Sequence, residues 1–188
     1  MATFPSITPA YGMRKTSSPK VRRTQLGDGY EFRALYGLPL SQDPKVYDLT
    51  FNVSETESDV IEGFLRSRVA DQASFTFTPP AEGFTKTGTY SQSTTTVTIT
   101  ITQHGVAIGD VLTIDYTSGS ATDGDFVVAS VTNDNVFTVT AADSATNSGN
   151  VSITLSGAGK YVCDSWTKTI PYNNRAIIDC TFREVFEP

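Results

Sequence analysis

The stretch Gln25-Leu26-Gly27-Asp28-Gly29-Tyr30 lies between a basic run and an alternating run, and the rest of the chain is organised around it. The Asp28-Gly29 dipeptide favours the positive φ angles of a tight hairpin, and Gly27 gives the entry to the turn the same freedom. The stretch therefore predicts a turn that folds two strands together. Glycines beside Asp28 also suggest a phosphate-binding loop. We reject that alternative because no Lys-Ser/Thr pair follows and the next element has the pattern of a strand.

Basic residues precede the turn: Arg14, Lys15, Lys20, Arg22 and Arg23. A cluster of this kind can contact nucleic acid, but no aromatic residues are interleaved with it and no binding motif accompanies it. We therefore favour a strand that faces solvent or a neighbouring subunit. After the turn, residues 35–44 are rich in turn formers and predict a long loop or an extended hairpin tip.

The next segment has the clearest strand pattern in the chain. Between Val46 and Val53, the alternate residues Tyr47, Leu49, Phe51 and Val53 share one face. Ser54-Glu55-Thr56-Glu57 then has the form of a capping box, which predicts that a helix begins here. Apolar residues follow at helical spacing on one stripe, namely Val60, Ile61, Phe64, Leu65 and Val69. Residues 73–78 predict another strand, which Pro79-Pro80 ends.

A change of composition at Ala81 predicts a separate module. Residues 82–157 contain no proline, are rich in Ser and Thr, and carry seven acidic residues against one basic residue. Their pattern predicts five short strands, over 94–102, 111–117, 125–132, 136–140 and 151–155, in a small β-barrel or sandwich. We therefore predict two domains: a discontinuous framework, 1–81 with 158–188, and an inserted domain, 82–157.

The last segment, from Lys160, predicts a closing hairpin with its turn at residues 171–174. Cys163 and Cys180 fall on nearly opposite positions of this hairpin, so a disulfide is sterically conceivable. We favour two small buried hydrophobic side chains instead.

The residues offer no arrangement for catalysis. His104 is the single histidine, and no nucleophile is placed beside it, so we predict that the protein is not an enzyme and needs no cofactor. Asp110, Asp123 and Asp125 lie beside glycines, as calcium ligands often do, but the EF-hand spacing is absent and turn chemistry explains each one. No secretory signal or apolar membrane span is present in the sequence, which favours a soluble, folded protein. Composition alone indicates a mostly β structural or binding protein.

The framework resembles a known family in the order and spacing of its motifs. These motifs are Lys20-Val21-Arg22, Leu26-Gly27-Asp28-Gly29-Tyr30, Arg33-Ala34, Gly37-Leu38, Lys45-Val46-Tyr47, Phe64-Leu65, Ser74-Phe75, Thr78-Pro79-Pro80, and Val162-Cys163 with Trp166. In this combination they resemble the minor tail protein M family of lambda-like long-tailed phages.

This resemblance implies a fold and an assembly. The fold would be mainly β with one α-helix, a tail-tube-like β-sandwich or split barrel. The protein would be a structural component of the virion at the tail tip, assembled in the bacterial cytoplasm. It would form a ring, six-fold by analogy, with the tail tube protein on one face and other tail-tip proteins on the other. The genome would pass through the lumen without specific binding. Candidate subunit contacts are Gly27, Asp28, Gly29, Tyr30, Arg33, Leu35, Tyr36 and Pro39.

The insertion departs from the family pattern and leaves a second function open. Its Gly- and Thr-rich turns resemble a small β-module found in other phage structural proteins, and such a module is expected to project outward from the ring. It could instead bind a host-surface glycan and make the protein an adhesin. A sugar site usually has an exposed aromatic platform, for which Tyr90, Tyr116 and Phe126 are the candidates.

Overall fold

The computed structural model describes residues 2–34 and 41–187, which fold as a mainly β protein with a single helix in the described part. The predicted fold class is thus confirmed. The chain divides into two compact units, residues 1–80 with 158–188 and residues 81–157. The elements are β1 (Ala2–Thr3), β2 (Arg14–Ser17), β3 (Arg22–Gln25), β4 (Glu31–Ala34), β5 (Lys45–Val53), α1 (Glu55–Asp71), β6 (Phe75–Phe77), β7 (Phe84–Thr100), β8 (Val111–Asp115), β9 (Gly124–Asn133), β10 (Val136–Leu155), β11 (Gly159–Tyr172) and β12 (Arg175–Glu184).

A six-stranded sheet forms the first unit, in the order β1-β6-β11-β12-β5-β2. The alternation predicted for β5 is confirmed, since Tyr47, Leu49, Phe51 and Val53 are all buried. They pack in an aromatic-rich core with residues of β6, β11 and β12. Phe4 joins this core, and its ring centroid lies 5.5 Å from that of Phe51. The segment before the basic run therefore includes a short strand, β1, and a buried aromatic side chain, Phe4.

Helix α1 begins as the capping box predicts. The Ser54 hydroxyl accepts a hydrogen bond from the Glu57 backbone N–H (3.3 Å), and the Glu57 carboxylate accepts one from the Ser54 backbone N–H (2.9 Å). The predicted apolar stripe is only partly correct. Ile61 and Leu65 are buried, whereas Val60 and Val69 are exposed. The buried line of the helix is narrow and runs through Ser58, Ile61 and Leu65, which leaves the flanking valines outside it.

Replacing Ser54 with alanine is expected to lower the free energy of unfolding of the first unit by about 1 kcal/mol, because the Glu57 backbone N–H loses its acceptor and the Glu57 carboxylate loses the hydrogen bond from the Ser54 hydroxyl. The single tryptophan, Trp166, packs against the core of this unit, so its fluorescence during denaturation reports the change. Ser67→Ala is the matched control, since that hydroxyl donates to the Phe64 carbonyl and accepts from Arg68 at 3.5 Å, and so satisfies no backbone N–H at the helix start. Equal stability of the two variants would contradict the capping role.

The same box makes helix stability depend on pH. The pKa of Glu57 is lowered, first by the hydrogen bond from the Ser54 backbone and then by the Ser54 hydroxyl. A lowered folded-state pKa contributes stability above the unfolded-state value, and this contribution is lost as the pH falls through the folded-state value. The stability difference between the wild type and Ser54→Ala should therefore narrow in acid.

The second unit has four strands, three of them long, where the sequence predicts five short ones. Its sheet has the order β7-β10-β8-β9, with β9 also paired to β10. Two of the predicted strands, 136–140 and 151–155, are parts of the single strand β10, whose register with β7 shifts between Thr140 and Ala145. Residues 84–93, where the sequence predicts no strand, pair with the second half of β10. The segment 141–150 is made of small and polar residues, which do not favour strands. The sequence therefore gives no sign that β10 continues through it.

The two ends of segment 82–157 lie close together, as contacts within each unit show. In the first unit, β6 and β11 are antiparallel neighbours, with Phe77 opposite Gly159. In the second unit, a Cβ on Gly157 would lie 2.3 Å from the Glu82 carbonyl oxygen, so the two backbones touch. Segment 82–157 therefore leaves and returns where a short hairpin loop would otherwise join two neighbouring strands.

Candidate assembly surface

The stretch Gly27-Asp28-Gly29 forms the loop of the hairpin β3–β4, as predicted. The Gly29 N–H donates to the Leu26 carbonyl (3.1 Å), and the Leu26 N–H donates to the Tyr30 carbonyl (2.8 Å). Of the three loop residues only Gly29 has a positive φ, +87°, so the expectation of positive φ at Asp28 is wrong. A three-residue hairpin loop needs one left-handed residue at its end, whereas two-residue loops of the mirror-image type need two.

Strands β3 and β4 expose both faces of their ribbon. Within the described chain they pair only with each other, and every residue of β3 is exposed. Tyr30 is 72% exposed and Phe32 is 63% exposed, and Val21 and Leu26 are exposed as well. A two-stranded ribbon alone in water is marginally stable, and exposed aromatic side chains mark contact surfaces. This hairpin is therefore the strongest candidate surface for assembly.

Charged side chains on the hairpin give it a basic character. Glu31 accepts from Arg33 at 2.6 Å and lies 3.7 Å from Arg23. The hydrogen bond from Arg33 lowers the pKa of Glu31, so this carboxylate stays ionised between the two guanidinium groups. At the base of the ribbon, the Lys20 N–H donates to the Gln42 carbonyl at 2.7 Å. Exposed ion pairs of this kind contribute little to stability but can direct the choice of partner.

The hairpin brings together five of the eight predicted contact residues: Gly27, Asp28, Gly29, Tyr30 and Arg33. The other three, Leu35, Tyr36 and Pro39, lie outside the described residues. Sequence reasoning omitted Phe32 from the contact set, although it belongs to the alternating run that begins at Tyr30. Alternation alone predicts one buried face, and here the aromatic side chains stay exposed.

The aromatic residues expected to form a glycan platform are instead part of the core of the second unit. Tyr90 and Tyr116 are 3% and 9% exposed, with ring centroids 4.4 Å apart. Phe126 is partly buried, and its ring packs edge-on against Tyr116 at 6.3 Å. Burial raises the pKa of Tyr116 to about 12, and Tyr90, Asp123 and Asp143 act in the same direction. A small unit needs its few large side chains inside, so the expected exposed platform is not formed by these residues.

His104 and the glycine-adjacent aspartates have structural partners. His104 is buried: its Nδ1 accepts from the Val106 N–H (3.0 Å), which leaves Nε2 to donate to the Asn133 carbonyl (2.9 Å). The carboxylates of Asp110 and Asp123 accept from the backbone N–H groups of Ala107 and Tyr116, and Asp125 accepts from the Thr113 hydroxyl. Within residues 2–34 and 41–187, no three His, Cys, Asp or Glu side chains are grouped to hold a metal ion. Among the same residues, no helix is long and apolar enough to cross a membrane.

Known proteins similar to this chain are phage tail components. The family model described as "Phage minor tail protein" matches residues 3–106, more than half of the chain. Tail tip protein M of Escherichia phage lambda is 41% identical over 71 residues, which are 38% of this chain and 62% of that protein. The chain thus spans somewhat less than two thirds of the length of this curated relative. The family match ends at residue 106, so the resemblance noted around Cys163 and Trp166 stays a prediction. The chain belongs to the phage minor tail protein family, and it is a structural protein of the virion tail.

Proposed function

We propose that the protein forms a ring at the tail tip that joins the tail tube to the distal host-recognition complex. The main observation in support is the hairpin β3–β4, which exposes Tyr30 and Phe32 on a ribbon that has no third strand in the described chain. Similarity to a protein named tail tip protein M supports the position at the tip. In this proposal the ring is six-fold and assembles in the host cytoplasm. The tail tube protein lies on one face, other tail-tip proteins lie on the other, and the genome passes through the lumen without specific binding.

A ring of identical subunits requires two different complementary surfaces on each subunit. The hairpin supplies one of them, because exposed Tyr and Phe side chains with flanking arginines are the residue types that carry interface energy. The acidic character of residues 82–157 and the basic character of residues 1–50 make unlike surfaces available on each copy. Each copy thus offers two surfaces of opposite charge to its neighbours.

We further propose that residues 82–157 are a domain inserted into the family framework. Two observations support this: β6 and β11 are adjacent antiparallel strands, and the segment's own ends touch at Gly83 and Gly157. Insertion at such a point adds little loop-closure entropy to the framework. The framework can then keep the same assembly surfaces with or without the insertion.

The double variant Tyr30→Ser/Phe32→Ser is expected to stay monomeric at concentrations at which the wild type assembles. Loss of two central aromatic contacts of about 2 kcal/mol or more each weakens self-association by roughly a thousandfold. Multi-angle light scattering gives the mass of the particles, and negative-stain electron microscopy shows whether they are rings.

The matched control is Tyr172→Ser, at a side chain 69% exposed on the other hairpin tip of the first unit. This variant should assemble as the wild type does. Assembly of the double variant with wild-type affinity would refute the hairpin contact. Labelled wild-type protein found along the tail but absent from its tip would refute the proposed position.

A further inference from the structure

Cys163 and Cys180 lie on neighbouring strands and on the same side of the sheet. In the pairing of β11 with β12, Cys163 is opposite Phe182, and Trp166 is opposite Cys180. Directly opposed residues point to the same face of a sheet. Phe182 and Cys180 are both buried in the core of the first unit, and Cys163 and Trp166 pack against that core.

A bulge in β11 lies between the two cysteine positions. Between the two opposed pairs, β11 advances three residues while β12 advances two, so β11 carries one extra residue at this point. The extra residue leaves Cys163 diagonally across from Cys180, on the same face of the sheet and at the same core, where the Cys163 thiol donates to the Ser165 carbonyl at 3.3 Å. Both cysteines are free thiols in the structure. A disulfide needs a bond of about 2.05 Å between the two sulfurs, and rotation of these two diagonal side chains toward each other would bring the sulfurs together.

The two thiols differ in their access to solvent. Cys163 is partly exposed and lines a cavity of about 320 Å³ between the end of α1 and strands β11 and β12. Arg68 and Arg183 also line this cavity. Cys180 is buried and does not line this cavity; it belongs to the lining of a second one, with Trp166 and Asp179. A reagent in the first cavity can therefore reach Cys163, which is the more exposed of the two cysteines.

The two thiols also differ in pKa. The hydrogen bond from Cys180 lowers the pKa of Cys163, and backbone hydrogen bonds at Ser165 and Thr181 act in the same direction, against burial and the Asp164 carboxylate. The same contact raises the pKa of Cys180, and burial adds to it. The thiolate is the reactive form of cysteine. Cys163 is thus the more reactive of the two thiols, and Cys180 is the less reactive one.

We propose that Cys163 is a site of oxidation and that Cys180 resolves it to an intramolecular disulfide. With hydrogen peroxide as oxidant, the Cys163 sulfur attacks one peroxide oxygen, the O–O bond breaks, and water leaves after protonation, which yields a sulfenic acid. The Cys180 sulfur then attacks the Cys163 sulfur, the S–O bond breaks, and the Cys180 thiol proton leaves with hydroxide as a second water. Two thiols and one peroxide thus give one disulfide and two waters. Virion components meet oxidising surroundings outside the cell, where such bonds persist.

The full-length chain tests this proposal with peroxide and a sulfenic acid trap, dimedone, followed by mass spectrometry of the intact protein and its peptides. The wild type should lose the mass of two hydrogen atoms, give a Cys163–Cys180 cross-linked peptide, and carry little dimedone. Cys180→Ser should accumulate the dimedone adduct on Cys163, because the resolving thiol is gone. Cys163→Ser should react at least about tenfold more slowly than Cys180→Ser, since its remaining thiol is buried.

Trp166 fluorescence checks that each variant is folded. Alkylation of the untreated wild type by iodoacetamide gives a measurement that needs no variant, and Cys163 should be modified before Cys180. Equal reactivity of the two thiols, or two free thiols after peroxide treatment of the wild type, would overturn the proposal. A disulfide between two copies in place of the intramolecular one would overturn it as well.

Discussion

Replacing Phe182 with alanine is expected to lower the free energy of unfolding of the first unit by about 3–5 kcal/mol. Phe182 is fully buried on β12, opposite Tyr47 of β5 and Cys163 of β11. Its ring lies 5.0 Å from that of Phe75, 5.1 Å from Phe77 and 5.2 Å from Phe4, each in an edge-to-face arrangement. The substitution removes a ring that three strands and the N-terminal segment share. The surrounding rings cannot collapse into the cavity without losing their own contacts.

Urea denaturation followed by Trp166 fluorescence measures this loss, because the only tryptophan belongs to the same unit. Phe182→Leu should cost much less, since most of the buried volume is kept. The exposed Phe186→Ala is the surface control and should change stability by at most about 0.5 kcal/mol. If Phe182→Ala were no less stable than Phe186→Ala, the edge-to-face cluster would not be the centre of this core.

The first unit was largely predictable because its local patterns and its tertiary contacts agree. Alternation from Tyr47 to Val53 specifies a strand with one buried face, and Ser54 and Glu57 specify where the helix begins. The width of the buried helix face was not predictable, because it depends on how α1 lies over β11 and β12. Phe4 was also missed, since a single aromatic residue among prolines has no period.

The second unit was less predictable because backbone pairing governs it more than side-chain pattern does. Segment 141–150 has hardly any strand-favouring residues, yet it belongs to β10, and from Ala145 onward each of its residues has a partner in β7. The wrong prediction for Tyr90 and Tyr116 has a similar cause. Their ring sizes suggest a binding platform, but their burial depends on how β7 pairs with β10, which no local spacing encodes. Together with Phe137, these tyrosines supply much of the volume of a core that otherwise consists mainly of Val, Ile and Leu.

The assembly surface shows the opposite relation between sequence and structure. The Gly27-Asp28-Gly29 turn is correctly predicted as the loop of a hairpin, and alternation such as that of Tyr30 and Phe32 is typical of a strand with one covered face. Tyr30 and Phe32 lie uncovered in the described chain. A pattern that specifies a buried face, together with a structure that leaves that face exposed, is what a surface completed by another subunit would show. Because of this mismatch, we base the proposed function on the hairpin, although the hairpin has no catalytic group.

The second large effect is expected for Gly149→Ala, which should lower the free energy of unfolding of the second unit by about 3 kcal/mol. A Cβ on Gly149 would lie 2.2 Å from the Ser118 carbonyl oxygen and 2.7 Å from its carbonyl carbon. The Ser118 segment cannot simply move away. Its hydroxyl accepts from the Asn150 N–H at 2.7 Å, and its N–H donates to the Asn150 carbonyl at 3.4 Å. The methyl group must therefore separate two backbones, and these hydrogen bonds weaken with it.

Differential scanning calorimetry should show the transition of the second unit about 10–20 °C lower for Gly149→Ala, because a domain of this size shifts by about 4–8 °C per kcal/mol. The Trp166 fluorescence transition of the first unit should move little. Gly124→Ala is the matched control in the same unit: its Cβ would meet only a Phe126 ring carbon, at 3.8 Å, so its transition should stay within about 0.5 kcal/mol of the wild type. If the second unit of Gly149→Ala and of Gly124→Ala unfolded at the same temperature, Ser118 and Gly149 would not be in backbone contact. The burial of Tyr90 against Tyr116 would then need another cause, because Gly149 pairs directly with Tyr90 across β7 and β10.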